Sequence, residues 1–190
     1  MPAITKDWVD AYFDHGIDKD NRRIFLHGEI EEDRISLVIK SIYYLDSQNQ
    51  QKPIELFISS NGGCLYEMLA LYDVLNTTTC PIHTVAVGKC MSAAPLLVAA
   101  GTRGNRYSMP NTQWMIHDFS LSIPPDKLLS IKSDIKSTDE IKSRWASLME
   151  THTKVSAKKW IVMCNRSADT YFNAEEALEW GVVDHLWSEK

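Results

Sequence analysis

The chain of 190 residues has a formal net charge of −5, with 44% hydrophobic and 24% charged residues. This composition is typical of a globular protein with one core, and the acidic balance argues against a nucleic-acid or anionic-membrane partner. Apolar runs stay well below the roughly 20 residues that a membrane helix needs, and residues 1–8 lack the pattern of a signal peptide. We therefore expect a cytoplasmic protein with no membrane or nucleic-acid partner.

The sequence contains four cysteines, which form no Cys-x-x-Cys pair and have no histidine at ligand spacing. Neither a zinc site nor a disulfide framework is therefore expected. We predict that Cys64, Cys80, Cys90 and Cys164 fill the core, and we expect no metal and no other cofactor.

The first half of the chain alternates strand and helix patterns. Residues 1–22 mix apolar and acidic side chains and are interpreted as an N-terminal extension with a short amphipathic helix. A strand is predicted over 23–28 and a helix from Asp33, because apolar residues there recur at helical spacing. The next strand covers 53–59 and leads through a glycine turn into a helix over 65–75.

A third unit of strand, turn and helix contains a serine among small and apolar residues. The β-branched run 82–87 predicts the strand, and an Ala/Leu-rich run that stops at Gly101 predicts the helix. Repeated connections of this kind imply right-handed crossovers and a mainly parallel sheet, whose ligands sit at the carboxyl ends of strands. Ser92 and the turn Gly62–Gly63 both lie at such ends, so we expect them to meet.

The second half of the chain has more varied elements. The predicted elements are strands over 106–109 and 114–116, a long amphipathic helix from Pro124, a helix over 156–164 and a final strand over 182–187. Before that strand, Asn173 and Glu176 form the pattern of a capping box, which predicts a helix that ends at Gly181.

Ser92 is a candidate nucleophile because its predicted place at a helix N-terminus puts unpaired backbone N–H groups beside it. Such groups and the helix dipole favour the negative charge that forms when a hydroxyl attacks a carbonyl. The alternative interpretation is that Ser92 only caps the helix, which is a common role of serine. From this stretch alone both interpretations stay open.

A serine hydroxyl at neutral pH needs a base within hydrogen-bond reach, and the base needs a third group to orient it. Of the six histidines, His117 is the best candidate because it ends an apolar strand at the same edge of the sheet. Asp118 is adjacent, but in a continuing strand its side chain would point the other way. The orienting acid is therefore expected from another segment.

Several stretches are informative together: Ser60–Gly63, Gly88–Gly101, Arg106–Asn111, Met115–His117 and Asn173–Gly181. In this order and with this spacing they resemble the motifs of the proteolytic subunit of the caseinolytic (Clp) serine proteases, over residues 23–187. The resemblance implies an α/β, Clp protease/crotonase-like fold, a repeated β-β-α superhelix with a protruding long helix, the handle, at about 119–152. It also implies a single catalytic domain over 23–190.

The resemblance assigns site residues as well. It implies a catalytic triad of Ser92, His117 and Asp169, and an oxyanion hole formed by the backbone N–H groups of Gly63 and Ala93. The residues implied to bind substrate, by pairing with an extended peptide, are Gly62, Phe119, Ser120 and Leu121.

The implied function is that of a serine endopeptidase that cleaves unfolded polypeptides or peptides inside an oligomeric chamber. The chamber would be built from heptameric rings of this chain and fed by a separate AAA+ unfoldase, and the pairing of two rings into a tetradecamer stays open. The absence of a Walker motif from the sequence agrees with ATP hydrolysis by a partner. The sequence departs from the family pattern over 119–125, and Glu55 and Thr77 stand where the family offers aromatic residues for the unfoldase.

Two other functions remain as alternatives. A crotonase-like acyl-CoA enzyme would use the glycine-turn N–H groups to hold a thioester enolate and would need no triad. A non-peptidase ring subunit would only support an active paralogue, although such subunits commonly lack a triad residue.

Overall fold

The computed structural model describes residues 16–119 and 128–187, without the side chains of residues 128–131. The strands are β1 (Ile17–Asp18), β2 (Arg23–His27), β3 (Ile54–Ser60), β4 (Ile82–Met91), β5 (Arg106–Ser108), β6 (Gln113–Ile116), β7 (Thr170–Phe172) and β8 (His185–Leu186). The helices are α1 (Glu32–Gln48), α2 (Leu65–Thr77), α3 (Ala94–Ala99), α4 (Leu128–His152), α5 (Ala157–Cys164) and α6 (Ala174–Glu179).

The described strands form one eight-stranded sheet with the order β1-β2-β3-β4-β5-β8, and β6 and β7 extend it beside β4. Strands β2 to β5 are parallel, β8 is parallel to β5, and β1 is antiparallel to β2. Helices α1, α2 and α3 follow β2, β3 and β4 in turn, which is the alternation that makes parallel pairing possible. The prediction of a mainly parallel α/β sheet is confirmed.

Strand β4 is longer than predicted. The β-branched pattern ends at Val87, but the strand continues to Met91 across a register shift in its pairing with β3, and Gly88 has a φ of +68°. The first half of β4 pairs with β5 and the second half pairs with β6. Because glycine tolerates a positive φ, the chain bends at this point and the strand continues instead of ending.

Most described helices bury one face and expose the other, as their patterns predict, but every residue of the short helix α3 is buried. Helix α6 has the predicted capping box, in which the Glu176 N–H donates to Asn173 Oδ1 and the Asn173 N–H donates to the Glu176 carboxylate, both at 2.8 Å. The final strand is shorter than predicted because the N–H groups of Val182 and Val183 donate to the Ala177 carbonyl oxygen at the end of α6. They are therefore not available to the sheet.

Some predicted features lie outside the described residues. These are the amphipathic helix, as far as it falls within 1–15, the segment with Ser120 and Leu121, and the start of the long helix at Pro124. Strand β1, at the end of the predicted extension, pairs with β2. Among the helices that the structure describes, none combines the length and the apolar character needed to cross a membrane.

A buried ion pair joins β5 to the segment after α6. Arg106 is 4% exposed, and its Nε and Nη2 donate to the Asp184 carboxylate at 2.8 and 2.6 Å. Its Nη1 donates to the carbonyl oxygens of Ala99 and His152, so one guanidinium also holds the ends of α3 and α4. Burial raises the pKa of Asp184, but the hydrogen bonds and charge of Arg106 outweigh burial and leave the pKa below its ordinary value.

We expect Asp184→Asn to lower the free energy of unfolding by about 2–4 kcal/mol near neutral pH, because Arg106 loses its buried counter-charge. Since the pKa of Asp184 is lower in the folded chain, this contribution is complete above the unfolded value, 3.8, and is lost as the pH falls through the folded value. Urea unfolding at a series of pH values should therefore show the wild-type advantage shrinking in acid. The exposed variant Asp20→Asn is the control, and a pH-independent Asp184→Asn deficit would contradict this account.

Candidate active site

The pairing of β4 with β6 brings a serine and a histidine to one edge of the sheet. Met91, the last residue of β4, lies opposite Met115 of the parallel strand β6. The residues that follow these strands are Ser92 and His117. One further step in this register sets Ser92 opposite Ile116, so the two predicted site residues lie at the ends of neighbouring strands, one position out of register.

The side chains of these two residues are in contact. Ser92 Oγ and His117 Nε2 lie 2.8 Å apart, and both residues are half-buried. With the ring proton on Nδ1, Nε2 accepts a hydrogen bond from the serine hydroxyl. This is the arrangement that a general base requires.

Ser92 has a backbone conformation that is unusual for a residue with a side chain. Its φ is +58°, and its N–H donates to the Met115 carbonyl oxygen at 2.8 Å. A left-handed conformation costs about 1–2 kcal/mol for a non-glycine residue, and such strain is concentrated at functional sites. The N-cap position of α3 belongs to Ala93, and no side chain caps that helix, so the interpretation of Ser92 as only a cap is wrong.

The glycine turn after β3 lies against the serine. Gly62 has a φ of +98°, and a Cβ atom built there would lie 2.5 Å from the Ser92 Cβ and 2.9 Å from the Met91 carbonyl oxygen. Gly63 has a φ of +147°, and its added Cβ would lie 2.3 Å from the Ile30 carbonyl oxygen. Only glycine permits this close approach, and the predicted meeting of the turn with Ser92 is confirmed.

Two backbone donors near the serine are available to a ligand. In the turn, the Ile30 N–H donates to the Gly62 carbonyl oxygen and the Cys64 N–H donates to the Ile30 carbonyl oxygen. No hydrogen bond among the described residues uses the N–H of Gly63 or Ala93. Unpaired N–H groups beside a nucleophile are the donors that an oxyanion needs. Helix α3 has only six residues, so its dipole adds little to their effect.

Asp169 lies close to His117 in register but does not bind it. Strands β6 and β7 are antiparallel with Ile116 opposite Thr170, so one further step sets His117 opposite Asp169. The Asp169 side chain is exposed, and no hydrogen bond or ion pair joins it to the imidazole, whose partner is Ser92. The structure thus brings together two of the three predicted residues by side-chain contact and the third by backbone alone.

The carboxylate next to the histidine is bound elsewhere. Asp118 accepts a hydrogen bond from Lys142 of α4, and the same ammonium donates to Asn165 Oδ1. The Lys142 hydrogen bond lowers the pKa of Asp118, so this carboxylate is ionised at neutral pH. The sequence analysis missed this contact, because a lysine among charged neighbours on an amphipathic helix gives no sign of a distant partner.

Of the other residues implied to bind substrate, Phe119 is half-buried and its ring meets the ring of Trp145 edge-to-face at 5.8 Å. Ser120 and Leu121 lie outside the described residues. Phe119 follows His117 by two positions, so it lies on the stretch of chain directly after the candidate site.

The cysteines differ in their surroundings. Cys80, Cys90 and Cys164 are buried, as predicted, but Cys64 is exposed at the start of α2, so the prediction of a core position is wrong there. Burial raises the pKa of the Cys90 thiol well above its usual value, which makes it a poor nucleophile despite its closeness to Ser92. Within residues 16–119 and 128–187, no cluster of three or more His, Cys, Asp and Glu side chains could hold a metal ion.

A separate groove of about 420 Å³ lies on the sheet near β8. It is lined by Glu55, His83, Val85, Tyr107, His185, Leu186 and Trp187. Burial lowers the pKa of His83, so that imidazole is neutral at physiological pH. The groove is therefore mostly uncharged, with Glu55 as its one carboxylate among these lining residues.

The mixed α/β sheet and the hydroxyl–imidazole pair at its edge are features of a serine hydrolase. A family model for Clp protease matches residues 14–190. The chain belongs to the Clp protease family, and the resemblance drawn from its motifs is confirmed. Membership implies serine peptidase activity, and members typically form oligomeric rings with AAA+ partners.

Because Gly62 lies so close to Ser92, a methyl group added at Gly62 should strongly lower the stability of the fold. Gly62→Ala should lower the free energy of unfolding by about 3 kcal/mol or more, because the new Cβ overlaps Ser92 and Met91. Gly104→Ala is the matched control, since Gly104 also has a positive φ, +84°, but has no atom within 4 Å of an added Cβ. That control should cost only about 1–2 kcal/mol of backbone strain. Equal losses in urea unfolding would contradict the prediction.

Proposed function

We propose that this protein is a serine endopeptidase that cleaves unfolded polypeptides or peptides. The observation that carries the proposal is the 2.8 Å contact between Ser92 Oγ and His117 Nε2 in a chain of the Clp protease family. A serine hydroxyl becomes an effective nucleophile when an adjacent base can take its proton. The glycine turn beside Ser92 supports the same chemistry, because it leaves backbone donors free near the reacting oxygen.

In the proposed reaction, Ser92 Oγ attacks the peptide carbonyl carbon while His117 Nε2 takes the hydroxyl proton. The carbonyl oxygen becomes an oxyanion that the N–H groups of Gly63 and Ala93 stabilise. His117 then gives its proton to the leaving amine as the C–N bond breaks, which leaves an acyl ester on Ser92. Water, deprotonated by His117, hydrolyses this ester and restores the serine hydroxyl.

Asp169 is the proposed third member of the triad. It would accept the Nδ1 proton of His117, keep the ring in the required tautomer and stabilise its charged form. The register of β6 and β7 supports this role, since it sets the two residues opposite each other. Catalytic hydrogen bonds are often long or absent in free enzymes and form when substrate binds, so the exposed carboxylate is compatible with the role.

The proposed substrate is an extended peptide that adds as a strand beside residues 119–121. Backbone pairing of this kind gives affinity without demanding one sequence, which suits unfolded polypeptides. Gly62 and Phe119 would border the bound chain, together with Ser120 and Leu121. The position of Phe119 against Trp145 supports this placement, because it sets Phe119 beside α4.

The finer architecture of the family is also proposed for this chain. It comprises the repeated β-β-α superhelix, a handle at about 119–152 that includes α4, and an extension over 1–22 ahead of a single domain over 23–190. The proposed assembly is a heptameric ring with the sites facing an enclosed chamber in the cytoplasm, and two such rings would form a tetradecamer.

A separate AAA+ unfoldase is the proposed partner that delivers polypeptides to the chamber. The groove near β8 offers a surface for such a partner, since Tyr107 and Trp187 contribute aromatic rings 5.4 Å apart. The Glu55 carboxylate in this groove already accepts a hydrogen bond from Arg23 Nε at 2.7 Å, so the groove offers a partner mainly its aromatic and apolar side chains.

The proposal is tested by a fluorophosphonate probe, which forms a stable adduct with an activated serine. Oligomers isolated by size exclusion should be modified at Ser92, as located by peptide mass mapping. Ser92→Ala should abolish modification and lower the peptidase rate by roughly 10⁴ to 10⁶. Ser147→Ala, on the exposed face of α4, is the control and should behave as wild type.

Assembled wild-type chains that stay unmodified and cleave nothing would reject the proposal and favour a non-peptidase ring subunit. Turnover of an acyl-CoA thioester that survives Ser92→Ala would instead favour the crotonase-like alternative. Both results differ from loss of folding, which size exclusion reports separately.

The identity of the orienting acid is tested by two aspartate variants. Asp169→Asn should lower kcat/KM for a fluorogenic peptide by about 10⁴, because His117 loses the group that holds its tautomer. Asp118→Asn should cost about tenfold, since its carboxylate binds Lys142 and not the imidazole. A larger loss for Asp118→Asn than for Asp169→Asn would assign the orienting role to Asp118 and contradict the proposed triad.

A further inference from the structure

Lys142 lies where three segments around the proposed site meet. It belongs to α4, and its side chain is only 14% exposed. Its ammonium donates to Asp118 Oδ1 and to Asn165 Oδ1. An ammonium that loses most of its water needs such acceptors, and here the lysine end of the ion pair is buried while the Asp118 side chain is 59% exposed.

The two acceptors lie in the two chain segments that carry the proposed base and the proposed acid. Asp118 directly follows His117 in the chain. Asn165 is the C-cap residue of α5 and opens the turn that leads to Asp169. One ammonium on α4 therefore connects the segment of the base to the segment of the acid, whose own side chains do not touch.

The charges around this ammonium are balanced locally. Among the charged groups of the described residues, Asp118 is the one that forms an ion pair with Lys142. The Lys142 hydrogen bond keeps the pKa of Asp118 below its ordinary value, so the pair stays ionised at neutral pH. Burial raises the pKa of the nearby Cys164 thiol to about 11, so this group contributes no charge there.

Apolar contacts hold the same segments together with less directional control. The Phe119 ring meets Trp145 of α4 at 5.8 Å, and Trp145 meets Trp160 of α5 at 5.9 Å, both edge-to-face. Ring contacts of this kind tolerate small shifts, whereas hydrogen bonds lose strength steeply as their angles change. The two hydrogen bonds of Lys142 are therefore directional contacts that join these segments just beyond the pairing of β6 with β7.

We propose that Lys142 is a positioning residue for the Ser92–His117 pair, because its ammonium ties the segment after His117 to the turn that leads to Asp169. The inference rests on the proposed peptidase function. Without this tie, the Asp118 carboxylate keeps the backbone N–H of Phe119 as its hydrogen-bond partner among the described residues, and Asn165 loses its hydrogen bond to α4. His117 then spends less time within reach of Ser92 Oγ, and attack by the serine slows.

The test measures the rate at which a small fluorophosphonate modifies Ser92 in isolated oligomers. The probe is too small to need the peptide-binding segment, so the rate reports on the serine and its base. Lys142→Met keeps the length of the side chain but removes the charge, and it should slow modification by about 10- to 100-fold. Lys142→Arg keeps a cation with several donors and should recover most of the rate.

The control is Lys136→Met, because Lys136 is an exposed lysine of the same helix whose ion pair is with Glu140. In this variant the probe should modify Ser92 at the wild-type rate. All variants should keep the oligomer size and the thermal midpoint of the wild type. A wild-type rate in Lys142→Met would overturn the proposal. A rate in Lys142→Arg as low as in Lys142→Met would overturn it as well, because the cation would then not be the relevant group.

If Lys142→Met fails to fold, the variant Asn165→Ala tests the positioning role of Lys142 instead. It removes one acceptor at the exposed end of α5 and leaves the Lys142–Asp118 pair in place. It should slow modification by about 3- to 10-fold with an unchanged thermal midpoint, and a wild-type rate would overturn the proposal. Failure of the peptidase function itself is distinct, since wild-type Ser92 would then not be modified at all.

Discussion

The hydrogen bond from the Ser92 N–H to the Met115 carbonyl oxygen fixes the geometry on which the proposed site depends. It extends the pairing of β4 and β6 by one residue beyond Met91 and holds Ser92 at a φ of +58°. Every residue of α3, the helix that follows, is buried in the core, so the sheet holds one end of this short connection and the core holds the other. The strained conformation persists because its surroundings allow no alternative. The backbone therefore fixes where Ser92 lies relative to β6, the strand that leads to His117.

Because β4 bends at Gly88, this one strand pairs with two different neighbouring strands. The first half of β4 completes the central sheet with β5, and the second half turns toward β6, which carries the histidine. On the β5 side, Arg106 binds the carbonyl oxygens that end α3 and α4 while its charge is matched by Asp184. A buried ion pair is weak evidence of net stability, but these contacts fix where the two helices end. The scaffold of the site thus depends on both halves of β4.

The features that the sequence predicts well are those determined within a few residues. The capping box of Asn173 and Glu176 and the glycine turn are local, and the structure contains both of them. The continuation of β4 through Gly88 was not predictable, because a glycine after a β-branched run also signals a turn. The role of Lys142 was hidden for another reason, since its two partners are distant in sequence and a lysine on an amphipathic helix is usually solvated. Asp169 came from family resemblance, and the register of β7 supplies a physical basis for it.

The two contacts that His117 needs have different origins in this fold. Its contact with Ser92 follows from parallel pairing inside the sheet, where Trp114 and the residues of α3 are fully or almost fully buried. A contact with Asp169 would depend on an exposed turn that is held to α4 by Lys142. A displacement of α4 would therefore move the exposed turn that leads to Asp169 and, through Asp118, would also disturb the segment that follows His117. It follows that folding of the core brings the serine and the histidine together, whereas the placement of α4 governs the fine position of His117 and the completion of a triad.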